Sequence, residues 1–449
     1  MIKTLLITIK MRTIIFVLII MAGLIKFEFL NAQSGSASSF GNIENPGGSK
    51  LISDWITVQL KTIRTCKIPR QHFRQMAYTG VALYESIVAE DKNYRSLAGQ
   101  LNGYQPPKSL PETSNICWPA SANAAIAEMF RYFYPQNQAD IMSFDSLQND
   151  IRHKLAREGY NETAISNGEK YGSKIALSVI EWSKTDGDDK VNAPYSEPLG
   201  PGLWEPTPPM FIPPIMPYLG NERTFVSGSI DNNLPPKPLS FSTEPQSDFY
   251  KMNEEVYLVS KELDESKKAI ALFWDDFPDG KTLTASGHWE SILKTLLNDL
   301  NVSLIEGAHL YAGMFITMND AAIGCFKAKY TYNQLRPVTY IQKYMGHNDW
   351  NPLIITPPHP EYPAAHATVS MAVATILTKM LGENISFTDN TYAYRGYAAH
   401  HFNSIKDAAI EAGISRFYGG IHYIKSIEAG YAQGEKVAEN IYNKLVFIL

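Results

Sequence analysis

The sequence predicts an all-α protein, built as helical bundles (two of four-helix type, packed together) and interrupted by one long Pro-rich irregular stretch. Three observations carry this. Apolar residues recur at three- and four-residue steps through most of the chain, strand-like alternation is scarce, and Pro is densest in a single region, 192–239. No repeat of fixed period is present. With 449 residues, 45% apolar and 19% charged, the chain can bury a large core and lacks the composition of a disordered protein.

Taken in order, residues 1–32 read as an export leader. Lys3, Lys10 and Arg12 precede a compact apolar run, 13–25, and Leu30-Asn31-Ala32 offers a small-x-small cleavage site. The expected location is therefore periplasmic or extracellular, with Met11 an alternative start. That apolar run is too short for a stable membrane span. Residues 33–49 are rich in Gly, Ser and Asn and should form a flexible lead-in. An N-terminal helical region, 50–240, shows helical periodicity at 55–63, 76–88, 122–134 and 165–182, and ends in the Pro-rich segment 192–239. Trp204, Phe211 and Tyr218 within that segment predict that it packs on a surface. A C-terminal region, 241–449, resumes the pattern at 249–263, 289–300, 302–330, 364–381, 405–416 and 426–447.

Net charge is −5, so no overall field draws nucleic acid, and any anion site must be local. The three cysteines, Cys66, Cys117 and Cys325, exclude a disulfide-rich scaffold. Either Cys66 pairs with Cys117 or all three are buried thiols.

Three short segments carry candidate chemistry. In the first, Lys329 and Arg336 stand seven residues apart, close to two helical turns, so both should project from one face. Pro337 then turns the chain out of helix beside Arg336. In the second, Pro363-Ala364-Ala365-His366 runs into an apolar helix. Pro363 suits a first turn, which puts Ala365 and His366 where free N–H groups and the helix dipole favour an anion. In the third, Arg416 and His422 flank Gly419-Gly420, a break that lets both side chains converge. Together they offer three cations for the oxygens of a tetrahedral anion. One histidine is placed to bond its central atom and another to move a proton.

Lys-x6-Arg-Pro, then a Pro-x-x-His turn, then Ser-Arg-x5-His resembles the vanadium-dependent haloperoxidases, a pattern shared with bacterial acid phosphatases and type 2 phosphatidic acid phosphatases. Pro201-Gly-Leu-Trp204-Glu-Pro-Thr-Pro-Pro209, Phe273-Trp274-Asp275 and Gly287-His-Trp289 place the resemblance in the haloperoxidase branch, over roughly 51–449. The resemblance implies that Lys329, Arg336, Arg416 and the Ala365 N–H bind vanadate oxygens and that His422 coordinates vanadium. It also makes His366 the acid–base residue and His359 the halide-preference position. A histidine at that last position favours bromide or iodide. Asp275 or Asp276 is implied as a brace for Arg416. Two departures stand out: the family's Pro-Ser-Gly-His is Pro363-Ala364-Ala365-His366, and the acidic residue four positions after the last histidine is Ser426, with Glu428 off register.

The resemblance thus implies peroxide-driven halide oxidation on vanadate, with phosphate as a competing occupant and hydrogen peroxide, halide and a small organic acceptor as partners. Two alternatives use the same site: a phosphatase with His422 as nucleophile, and a non-enzymatic oxyanion binder favoured by Ala364 and Ser426. A zinc site from His359, His366, His400, His401 and His422 is weak, because no pair has a zinc-ligand helix spacing and the nearby cations repel a metal ion.

Overall fold

A computed structural model describes residues 48–65, 72–110, 112–135, 137–277 and 280–449. The expected leader, the lead-in up to residue 47 and Cys66 (hence the Cys66–Cys117 pairing) fall outside the described residues. Cys117 and Cys325 are buried.

Among the described residues are thirteen α-helices and one two-stranded sheet. In chain order the helices are α1 (Lys50–Thr65), α2 (Phe73–Glu85), α3 (Trp118–Phe133), α4 (Gln138–Arg157), α5 (Glu162–Ser183), α6 (Asp248–Lys261) and α7 (Glu265–Phe273). The second half adds α8 (Ala285–Leu300), α9 (Leu304–Tyr332), α10 (Pro337–Tyr344), α11 (Ala365–Leu381), α12 (Ile405–Tyr418) and α13 (Ile424–Tyr442). Strands β1 (Phe387–Asp389) and β2 (His400–Phe402) pair antiparallel, with Phe387 opposite Phe402. No described helix is long and apolar enough to cross a membrane.

Helices α2, α3 and α5 pack on one another, and α9, α11, α12 and α13 form a second group. Helix α9 serves both, touching α2 on one side and α11 and α13 on the other. That position requires apolar residues all round it, and Leu304 to Lys329 is buried almost without interruption. Its start is fixed by a capping box, Ser303 and Glu306 each bonding the other's backbone N–H. One apolar core runs through both groups, from Met76 and Ile165 to Met314, Val373 and Ala412. Close approach of α13 to the start of α11 needs Gly430, where a Cβ would stand 2.8 Å from the Ala364 carbonyl oxygen.

Three helices had no counterpart in the sequence pattern. Helix α4 buries only Phe144, Ile151 and Leu155, too few to show a stripe, α7 spans nine residues, and α10 opens on a proline. The Pro-rich segment packs through buried Trp204 and half-buried Tyr218, while Phe211, also expected to pack, is exposed. Trp204 N–H donates to the Asn333 carbonyl at 2.8 Å, and Leu335 N–H donates to Gly202 at 3.0 Å. Buried Asp320 on α9 holds the segment's end, accepting from Phe225 N–H (2.8 Å), Val226 N–H (3.1 Å) and the Ser229 hydroxyl (2.7 Å).

Candidate active site

Lys329 lies in the last turn of α9, fully buried among apolar neighbours. Asn333, at φ +50°, stops the helix, and Arg336 sits in extended backbone as the N-cap of α10, with Pro337 opening that helix. Lys329 and Arg336 therefore do not share a helix face, which corrects the reading from their spacing, while the extended backbone of Arg336 is what the following Pro337 predicts. The turn at 333–336 is what brings them together. Lys329 Nζ donates to the carbonyls of Pro360 (2.8 Å) and Glu361 (2.9 Å). Arg336, also fully buried, donates to the carbonyls of His359 (2.9 Å) and Ile421 (2.9 Å). One of its terminal nitrogens lies 3.1 Å from His422 Nε2 and the other 3.0 Å from His359 Nδ1.

The second segment wraps this pair. Ala364 is the N-cap of α11 and the helix begins at Ala365, so Pro363 precedes the first turn instead of forming part of it. Thr368 N–H makes the first intrahelical bond, to Ala364, which leaves the N–H groups of Ala365, His366 and Ala367 without helical partners, the first two at the cavity's edge. His366 Nε2 lies 3.3 Å from Asp276 Oδ2.

In the third segment α12 ends at Tyr418, and Gly420 at φ +78° turns the chain back, so Arg416 and His422 converge as the Gly-Gly break predicts. Arg416 donates to the Trp274 carbonyl, while its buried Nε has no partner. Asp275 and Asp276 both lie near enough to support its charge, although the hydrogen bonds of Asp276 go to His366, His288 and Tyr392. His422 Nδ1 lies 2.7 Å from Glu361 Oε1, inside the protein. The Arg336 guanidinium can only donate, so Nε2 keeps its lone pair facing Arg336 and the cage while Nδ1 carries the proton toward Glu361.

Beside these groups lies a cavity of about 150 Å³, lined by His359, His366, Arg416, Ala365, Asp275 and Asp276 on its polar side, with Lys329, Arg336 and His422 set behind its wall. Its other walls are mostly apolar: Phe73, Phe326, Val369 and, from the Pro-rich segment, Ile212, Ile215 and Met216. The His359 ring packs near Phe326, with centroids 5.2 Å apart. His400 and His401 do not line this cavity, and exposed Glu428 pairs with Lys425 instead.

The electrostatics are those of a cage short of negative charge. Among the described residues no carboxylate lies within 4 Å of Lys329 or Arg336. Burial, helped by the Arg336 charge, pushes Lys329 down to about 7. Burial also pushes Arg336 down to about 10, with Arg416 acting in the same direction and Glu361 opposing it. Burial and the three cations hold His422 well below the usual histidine range, and burial with Arg416 takes His366 to about 4. Each of these shifts would be relieved by an anion seated among them.

One solved structure, described as the first bacterial vanadium-dependent iodoperoxidase, matches 89% of this chain and 97% of its own at 33% identity and a TM-score of 0.82. The chain belongs to the vanadium-dependent haloperoxidase family. A family model for the second helical-bundle domain of vanadium chloroperoxidase matches residues 309–448, the stretch holding all three site segments. Holo and apo structures of a bacterial vanadium-dependent chloroperoxidase share the haloperoxidase fold at 13% and 14% identity. They cover 92% and 83% of this chain and 94% and 92% of their own, with TM-scores of 0.64 and 0.63. No curated protein gives a match.

Vanadate fits the haloperoxidase cage on this chain's own geometry, because the orphaned Arg416 Nε–H lacks the acceptor an oxyanion oxygen provides, and His422 Nε2, met only by Arg336, holds a lone pair suited to the central atom. Sequence reasoning missed Glu361. It stands between prolines and looks like an exposed turn residue, and only the fold sets it behind His422. It also missed His288, which stands behind Asp276. Ala364 is fully buried and offers no hydroxyl, so that family contact is absent here.

Proposed function

We propose that this chain oxidises halide with hydrogen peroxide on a bound vanadate, with iodide favoured over bromide, and that the product halogenates a small organic acceptor. The observation that carries this is the grouping of three buried cations, of which Lys329 and Arg336 bond only to backbone carbonyls and histidine nitrogens, with a histidine whose Nε2 is aimed at them by Glu361. Bound vanadate supplies a Lewis-acidic centre that polarises peroxide for attack by halide. The remaining work belongs to side chains. Lys329, Arg336 and Arg416 offset the anion's charge in a dry pocket, where fixed donors act more strongly than in water. Glu361 holds His422 in one tautomer and raises the basicity of Nε2. Asp276 accepts from His366 Nε2–H, leaving Nδ1 as the nitrogen that takes and returns a proton.

Two features support iodide: the 33%-identical structure is an iodoperoxidase, and the apolar cavity wall costs least for the most weakly hydrated halide. His359, bonded to Arg336 and lining the cavity, is the residue through which halide choice would be exerted. The basic-then-apolar leader supports export to the periplasm or beyond.

The test is peroxide-dependent oxidation of iodide, bromide and chloride by the mature protein, with and without added vanadate. The expected result is vanadate-dependent turnover ranked iodide above bromide above chloride, slowed by orthophosphate. Folded protein with no vanadate-dependent turnover of any halide would overturn the proposal. Release of phosphate from an aryl phosphate in its place would assign the cage to a phosphatase.

A further inference from the structure

Behind His366, away from the cage, lies a second buried cluster. His288 on α8 is fully buried, with Nδ1 2.9 Å from Asp276 Oδ1 and Nε2 2.9 Å from Asp389 Oδ2. A neutral imidazole has one N–H and can donate to only one of two ionised carboxylates, so both bonds together require the doubly protonated ring. Trp274 stacks on its face at 4.1 Å, a placement suited to a cation. The carboxylates are themselves held: Asp276 accepts from the Tyr392 hydroxyl at 2.5 Å, and Asp389 from Thr391 N–H at 2.9 Å. Asp276 adopts φ +43°, a conformation Asp accepts more readily than most residues, and its Oδ2 faces His366.

The geometry points to His288 as a positioning residue for the acid–base histidine: a buried imidazolium clamped between Asp276 and Asp389 that keeps Asp276 ionised and aimed at His366 Nε2. This rests on the reading of His366 given above. His366 is faced by Asp276 and His288 from one side, by Arg416 of α12 from another, and by His359 across the cavity. His288 is faced by Asp276, Asp389 and Tyr392. Although burial opposes it, the two carboxylates push His288 up to about 10, so its charge persists across the working pH range. That charge occupies part of Asp276, which limits how strongly Asp276 can draw a proton onto His366. His366 accordingly stays neutral at mildly acid pH and is available as a base.

Removing the His288 charge leaves Asp276 to be balanced by His366, and losing a neighbouring cation raises the pKa of a base. His288→Gln should therefore move the His366 midpoint up by at least about one pH unit, tenfold in its protonation constant. Tyr392→Phe, which removes a single donor from Asp276, should move it in the same direction by less. The first readout is the His366 imidazole titration by NMR in vanadate-free protein, where at pH 5 the variant ring should be at least half charged and the parent ring mostly neutral. The second is the acid limb of the kcat/KM profile for halide oxidation, which should shift the same way. A role confined to packing would lower stability and leave the midpoint in place. Unchanged His366 midpoints in the folded variants overturn the clamp, and Tyr392→Phe alone decides if His288→Gln does not fold. A shifted midpoint in a protein whose parent shows no turnover would uphold the clamp while the functional reading fails.

Discussion

Two buried clusters treat their cations in opposite ways. In the first helix group, Arg74 forms a 2.6 Å ion pair with Asp186, which also accepts from the Tyr78 hydroxyl at 2.9 Å, and Arg223 bonds to Tyr78. Despite burial, Asp186 raises the Arg74 pKa. In the cage, Lys329 and Arg336 bond mostly to backbone carbonyls and their pKa values fall. A carbonyl satisfies the N–H geometry but not the charge. The Arg74 cluster has its counter-ion built in and serves to join elements, whereas the cage keeps its positive charge available for a guest.

That contrast fixes what mutation should do. Arg416→Met should lower vanadate affinity about a thousandfold, two charged hydrogen bonds at ~2 kcal/mol each, as measured by calorimetry. Vanadate-free Lys329→Met should unfold no earlier than the parent, since a buried charge held only by backbone carbonyls is gone. Asp186→Asn should give the reverse pattern: a loss of about 3 kcal/mol in denaturant unfolding, because Arg74 is left largely buried with only the more distant, exposed Asp188 at 3.7 Å, with vanadate affinity of the folded fraction unchanged. A cage variant that destabilises as much as Asp186→Asn would break the comparison.

A subtler effect follows from Lys329. With its pKa lowered to about 7, it is charged below that pH and increasingly neutral above it in the vanadate-free protein. An anion binds the charged form, so vanadate affinity should fall as pH rises past about 7, and Lys329→Met should flatten that part of the slope in a pH series of binding isotherms. The smallest effect concerns Ala364. Ala364→Ser should tighten vanadate by up to about tenfold by restoring one hydroxyl donor, a gain of roughly 1.4 kcal/mol.

The parts of this design that the sequence showed were those written into local pattern. Lys329, Arg336, Arg416, His366 and His422 stood out because charged and imidazole side chains occurred at fixed spacings beside prolines and glycines that bend the chain. The long apolar α9 was equally plain. Glu361 and the His288 clamp were not legible, since Asp276, Asp389 and His288 lie on separate elements and only their packing makes them a unit. The same limit explains the misplaced helix face for Lys329 and Arg336. Their spacing suited a helix, but Asn333 in the left-handed region ended α9 between them. Helix α4 was missed for a different reason, as its exposed sides carry too many polar residues for three buried ones to mark a stripe.

The most direct test is a crystal structure of the protein soaked with orthovanadate. The account predicts vanadium bonded to His422 Nε2, its oxygens within hydrogen-bonding distance of Lys329, Arg336 and Arg416, and the Glu361–His422 contact retained. Vanadate seated elsewhere, or bound with His422 turned away and still paired to Arg336, would contradict it.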